Sequence, residues 1–249
     1  MTPPALDNTE KRAGFKSFVH RQLFEKPTLP EDVDLRGKTA IVTGSNTGIG
    51  LECARQLLNL GLLAILLLPI VKAKCAATGV PGRIAVVQSD TASWAKFAEK
   101  KHVPLLPALD DEKNFDRVDR YFTSKLILQL FVTELTKRVP ATAAVVTMPN
   151  PGWMYGTGRG TVAEKIIAVP NRLLGRTPSA AARVVTTGAV AFGAEAHGQY
   201  IEDGKLQPKA PFVYTPEGEK VGKTIWDEVM SELSFANVKE IVRELEKEA

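Results

Sequence analysis

Thr39 to Gly50 reads TAIVTGSNTGIG, and the fold is decided there. Thr39–Thr43 is a short β-rich run. Glycines follow at once, and Leu51 to Leu60 then has helical character, so the order is strand, glycine turn, helix. Gly44 lets the chain turn sharply after the strand. Gly48 and Gly50 let backbone approach a pyrophosphate and let the next helix pack closely on a sheet. That helix presents unpaired N–H groups and the positive end of its dipole to phosphates.

Working outward, Leu57 to Val71 (LLNLGLLAILLLPIV) is shorter than the ~18–20 apolar residues of a membrane span. Asn59, Gly61 and Pro69 interrupt it, so a buried core element is expected rather than a transmembrane segment. The part LLAILLL reads either as a helix or as a strand. Its unbranched leucines and the KAK ending favour helix, with Pro69 kinking it. A turn at Thr78–Gly82 leads to a second strand, Arg83 to Gln88 (RIAVVQ). Ser89 to Asp119 is polar, broken by Pro104 and Pro107, and reads as loop with one short helix. Apolar periodicity through Tyr121, Phe122, Leu126, Ile127, Leu130, Phe131 and Leu135 predicts a helix over Asp116–Arg138, stopped by Pro140. Ala143 to Met148 is a third strand. A helix over Ser179–Phe192, a short strand at Gln199–Ile201 and a charged amphipathic helix or helix pair over Ile225–Glu248 complete the chain. Alternating strands and helices imply an α/β fold with a mostly parallel sheet and flanking helices.

Residues 1–30 read as an N-terminal arm and 31–249 as a single domain. In the arm, Phe15, Phe18, Val19, Leu23 and Phe24 recur at helical spacing, for packing on the domain itself or on a membrane surface. The net charge is +4, and Lys and Arg alternate with Asp and Glu instead of forming the stripe a nucleic-acid binder needs. Cys53 and Cys75 have no metal-ligand or CxxC spacing. They read as buried free thiols of a reducing, cytoplasmic setting. His20, His102 and His197 lie far apart, so no metal site is expected; His102 reads as exposed and His197 as loop.

Two further constellations carry chemistry. Tyr121 and Lys125, at i and i+4, share one helix face. A neighbouring ammonium favours phenolate, which suits Tyr121 to exchange a proton with a substrate oxygen near neutral pH. Ser89 ends the RIAVVQ strand, at the carboxyl edge where open α/β sheets bind ligands.

Together these motifs resemble the short-chain dehydrogenase/reductase family: TGSNTGIG for the TGxxxGxG turn, Ser89 for the catalytic serine, Tyr121 and Lys125 for YxxxK, and Pro151-Gly152 for the proline-glycine after the sixth strand. Thr157 sits one residue from the family's cofactor-touching threonine. HGQYIEDGKLQP (197–208) and Trp226 resemble the retinol-dehydrogenase-like branch found in fungal secondary-metabolite clusters. The resemblance implies a Rossmann-type fold and an NADP-dependent oxidoreductase acting on a lipophilic small molecule. It also implies a homo-oligomer assembled through the Tyr121 helix. In its terms Tyr121 exchanges the proton, Lys125 lowers the Tyr121 pKa and holds the nicotinamide ribose, and Ser89 bonds the substrate carbonyl. Gly44, Ser45, Asn46, Gly48, Ile49, Gly50 and Thr157, with Tyr121 and Lys125, line the cofactor site.

The chain departs from the family between Gly44 and Arg83. That interval holds about one βαβ unit of ~30 residues or more, where the family has three further strands. The second to fourth strands are therefore expected to be missing, with the junction at Leu60–Leu62. With them go the charge that chooses NAD or NADP, the adenine-holding Asp and the catalytic Asn. A mis-spliced gene, a decayed enzyme or a recruited truncated fold each fit. Besides an oxidoreductase, a non-redox acid–base enzyme (isomerase or cyclase) and a non-catalytic partner of a full-length relative remain open.

Overall fold

The structure is a computed structural model and describes residues 9–25, 28, 51–154 and 175–247; within these, the side chains of 51–62, 114 and 117 are outside the described set. The TAIVT strand, the glycine turn through Gly50 and Thr157 lie outside the described residues.

The leucine-rich block forms one long helix, α3 (Leu51–Thr78), of 28 residues, or about 42 Å at 1.5 Å per residue. LLAILLL is helical, so the strand alternative is overturned. Unbranched leucines lose little rotamer freedom in a helix, and the helix runs through Pro69 without a break. Its packing is one-sided: Ala64, Ile65 and Leu68 are buried, while Leu66 and Ile70 are exposed. Cys75 is a half-exposed free thiol, not a buried one; its Sγ lies 3.5 Å from the Thr142 carbonyl. The Cys53 side chain is outside the described set. Among the described residues, no helix is long and apolar enough to cross a membrane.

The described sheet has four strands in the order β1 (Gly82–Ala85), β2 (Ala144–Asn150), β3 (Tyr200–Glu202), β4 (Lys205–Gln207). β1 and β3 both run parallel to β2, and β4 returns antiparallel to β3. β1 is shorter than the predicted strand, but its hydrogen bonds continue: Val86 N–H donates to Thr147 O and Gln88 N–H to Pro149 O, both at 2.8 Å. The extended chain thus reaches Ser89. Every residue of β2 is buried, as expected of a parallel strand covered on both faces. On one face, Val146 and Met148 join a core with α3 and with α5 (Arg117–Thr136). On the other lies α6 (Pro178–Val190), where the Thr147 hydroxyl donates to Gly188 O at 2.9 Å. A Cβ at residue 188 would meet the Pro149 ring at 2.7 Å, so the approach needs glycine.

β3 falls on the short strand expected at Gln199–Ile201, and β4, absent from the predicted elements, closes it into a hairpin. Asp203 and Gly204 turn it with φ of 54° and 72°, the two positive angles of a type I′ turn. The C-terminal helical region resolves into α7 (Pro216–Glu232) and α8 (Val238–Glu246). Asn237, with φ of 54°, breaks them apart. Trp226 of α7 stacks on Phe131 of α5, with ring centroids 5.4 Å apart.

The segment after Ser89 is a series of short 3-10 turns around one α-helical turn, α4 (Leu105–Leu109). The arm forms α1 (Thr9–Ala13) and α2 (Phe15–Phe24). It packs on this chain: Phe18 lies edge-on to Trp94 at 5.3 Å and stacks on Trp153 at 6.2 Å. Phe15 borders the same Trp94 ring at 5.9 Å while staying largely exposed, and Leu23 and Phe24 are exposed further along α2.

Candidate active site at the carboxyl edge of the sheet

Helix α5 starts at an Asp116 cap, whose carboxylate accepts from the N–H groups of Val118 and Asp119 at 2.9 and 3.1 Å. This satisfies two of the donors a helix leaves unpaired at its start. Asp119, one turn in, accepts from Lys96 N–H at 2.8 Å and from the Thr123 hydroxyl at 3.3 Å. The turn that follows Ser89 is thereby tied to α5. On the next positions, Tyr121 is 37% exposed and Lys125 is half-buried. The Lys125 ammonium lies 6.0 Å from the Tyr121 ring centre and donates to Val87 O at 3.3 Å. The structure therefore lays the Tyr121–Lys125 face of α5 over the carboxyl end of β1, two residues before Ser89.

Ser89 caps the 3-10 turn Asp90–Trp94. Its Oγ bonds within that turn, to Asp90 and Thr91, and not to Tyr121. The predicted trio is thus gathered at one strand end, with Ser89 held by its own neighbours.

The carboxyl ends of β2 and β3 are built differently. Asn150 Nδ2 donates to Glu202 Oε1 at 2.9 Å. The arm brings Arg12 and Arg21 onto Glu202, Arg21 Nε lying 3.0 Å from Glu202 Oε2. Arg21 also faces Asp90 at 3.8 Å and Asp203 at 4.0 Å, and Arg176 pairs with Asp203. Burial, with Glu202 adding repulsion, pushes the Asp90 carboxyl up to about 7 against the opposing pull of Arg21. Burial and Glu202 likewise raise Asp203, and burial lowers the Lys209 ammonium to about 8. Asp90, Arg21, Tyr200, Glu202 and Lys209 line one small polar cavity bordered by the arm.

Sequence reasoning passed over Asp90, Thr91, Arg21 and Glu202. Ser-Asp-Thr after a strand is a cap signature that was available in the chain. His197, read as loop, is half-buried: Nε2 lies 2.8 Å from Val139 O, and Nδ1 accepts from Val146 N–H at 3.2 Å. His102 is exposed. Among the described residues no cluster of His, Cys, Asp and Glu could hold a metal.

Tyr121 and Lys125, about one turn apart on α5, carry a hydroxyl and an ammonium, the donor types that a nicotinamide ribose would take. The Pro151-Gly152 turn is covered. A Cβ on Gly152, with φ of 76°, would meet Gln22 Oε1 at 2.3 Å and Arg176 Nη1 at 2.9 Å. Gln22 also accepts from Trp153 N–H and donates to Trp153 O.

The chain is similar to the short-chain dehydrogenase fogG of Aspergillus ruber (strain CBS 135680), at 35% identity over 96% of this chain and 97% of the relative. It belongs to the short-chain dehydrogenase/reductase family. The members of this family are oxidoreductase enzymes that use a nicotinamide cofactor. Two further fungal members are also similar. The short chain dehydrogenase/reductase mfmJ of Annulohypoxylon moriforme is 32% identical over 92% of this chain and 68% of its own. The short chain dehydrogenase opdN of Penicillium oxalicum (strain 114-2 / CGMCC 5302) is 28% identical over 84% of this chain and 100% of its own. No protein-family model and no solved structure matches the chain.

Proposed function

We propose that this short-chain dehydrogenase/reductase is an NADP(H)-dependent, cytoplasmic enzyme of fungal secondary metabolism. It acts on a carbonyl or secondary alcohol of a lipophilic small molecule. The observation that carries the reading is the Tyr121–Lys125 face of α5 lying over the end of β1, with Lys125 bonded to Val87 O and Ser89 two residues on. Tyr121 exchanges a proton with the substrate oxygen. Lys125 favours the phenolate and holds the ribose, and Ser89 donates to the substrate oxygen. The bound nicotinamide supplies or accepts the hydride. Gly44, Ser45, Asn46, Gly48, Ile49 and Gly50 are assigned to its phosphates and ribose, and Thr157 to its nicotinamide side. The domain comprises residues 31–249, with residues 1–30 as the arm, and it pairs with a second copy through α5.

The test is turnover of lipophilic ketones with NADPH, NADH as comparison, by the chain and its Tyr121→Phe variant. Removal of a general acid is expected to cost about 10²–10⁴-fold, with the melting temperature unchanged. Equal turnover by the variant would remove the mechanism. The covered Pro151-Gly152 turn favours one second reading, acid–base isomerisation or cyclisation by the same trio; turnover without any nicotinamide would select it.

A further inference from the structure

Two of the Ser89 contacts have a direction set by chemistry: the Thr91 backbone N–H can only donate, and an ionised Asp90 carboxylate can only accept. A hydroxyl has one donor and two acceptor positions. Thr91 meets the Ser89 oxygen twice, through its hydroxyl at 2.9 Å and its backbone N–H at 3.3 Å. Ser89 Oγ lies 3.4 Å from Asp90 Oδ1, a long contact for an O–H donor. When the Thr91 hydroxyl donates as well, both lone pairs are engaged and Ser89 has none to offer as a nucleophile or base, while its contact to Asp90 is long enough to exchange for a better-placed oxygen.

We propose that Thr91 and Asp90 are positioning residues for Ser89: Thr91 saturates its oxygen as an acceptor, and Asp90 is the resting partner of its proton, so that Ser89 presents only a donor to a substrate oxygen. The last step, donation to substrate, rests on the oxidoreductase reading; the direction of the Ser89 bonds does not.

Asp90 makes the arrangement sensitive to pH. Its carboxyl, raised to about 7 by burial, faces Arg21 of α2 and Glu202 of β3. It shares its cavity with Arg12, Tyr200 and Lys209. Ionised, Asp90 holds the Ser89 proton and competes with substrate. Protonated, it competes less. Reduction is therefore expected to slow as pH rises through about 7.

A test independent of turnover is the carbon-13 titration of aspartate carboxyls in the whole chain. In Ser89→Ala the Asp90 midpoint is expected to rise, because a donor to the carboxylate is lost. An unchanged midpoint in a variant with an unchanged melting curve overturns the proposal. In the turnover arm, Thr91→Val is expected to lower kcat about tenfold, with the KM for NADPH unchanged and with rescue by Thr91→Ser. Asp90→Asn is expected to lose the limb near pH 7. If Thr91→Val retains full kcat, or Asp90→Asn keeps that limb, the positioning role fails. Absence of all turnover in the unaltered chain defeats the oxidoreductase reading instead, and the titration still decides the direction of the Ser89 bonds.

Discussion

At the end of β1, Tyr121 is exposed and Lys125 and Ser89 are half-buried, Lys125 bonding to Val87 O and Ser89 to its own turn. At the ends of β2 and β3, Asn150, Glu202 and Asp203 are sealed beneath the arm against Arg12, Arg21 and Arg176. Both regions occupy the carboxyl edge of one parallel sheet, where α/β folds place ligands. The difference teaches that the edge position alone does not make a functional group. Buried carboxylates need their cations to stay charged. The charges under the arm are engaged with one another, whereas the less buried trio is the part of the edge proposed to meet a ligand.

The strongest way to break this contrast is Arg21→Ala. It leaves Glu202, Asp90 and Asp203 short of a buried cation, and losing one partner of such a network costs about 3–5 kcal/mol. Chemical denaturation should show that loss. A change below about 1 kcal/mol, the level of a surface ion pair, would mean that the arm charges are effectively solvated.

A second test sharpens the contrast through pH. In the unfolded chain Asp90 titrates near ~3.9, and in the folded chain near about 7. Between these values the native state binds the extra proton, so the Asp90 contribution is present in full below ~4 and is lost as pH rises through about 7. His197 acts in the opposite sense. Burial lowers its pKa, so its contribution is present above the unfolded value of ~6.5 and is lost as pH falls below it. Melting temperatures of the chain and of Asp90→Asn at pH 5 and pH 8 separate the two. The variant should be the more stable at pH 8 and nearer to parity at pH 5. A constant difference across that range would place Asp90 outside the buried network.

The parts of these regions that were legible in the chain are the local ones. Tyr121 and Lys125 lie four residues apart on one helix, and Ser89 follows directly on its strand, so periodicity finds them. The ion pairs of the arm join residues 190 and 181 positions apart, and no local pattern encodes such partners. Elsewhere the information was present in a form other than periodicity. Thr215 caps α7, with Pro216 at its first position, and this moves the helix start well ahead of the apolar run at Ile225. Asp203-Gly204 is a hairpin signal, but strands of three residues are too short to show alternation.

The smallest expected effect concerns that turn. Gly204 has φ of 72° with no atom within 4 Å of a Cβ built there. Gly204→Ala therefore costs backbone strain alone, about 1 kcal/mol, and should leave the Tyr121 face unaltered. A loss several times larger would tie the hairpin to the buried network more tightly than its own geometry requires.

The measurement that bears most directly on the central claim is a calorimetric titration of the folded chain with NADPH, with NADH and the Lys125→Met variant as comparisons. Micromolar binding of NADPH, weakened in Lys125→Met at an unchanged melting temperature, is the predicted result. A chain with a cooperative melting transition that binds neither nucleotide would contradict the account.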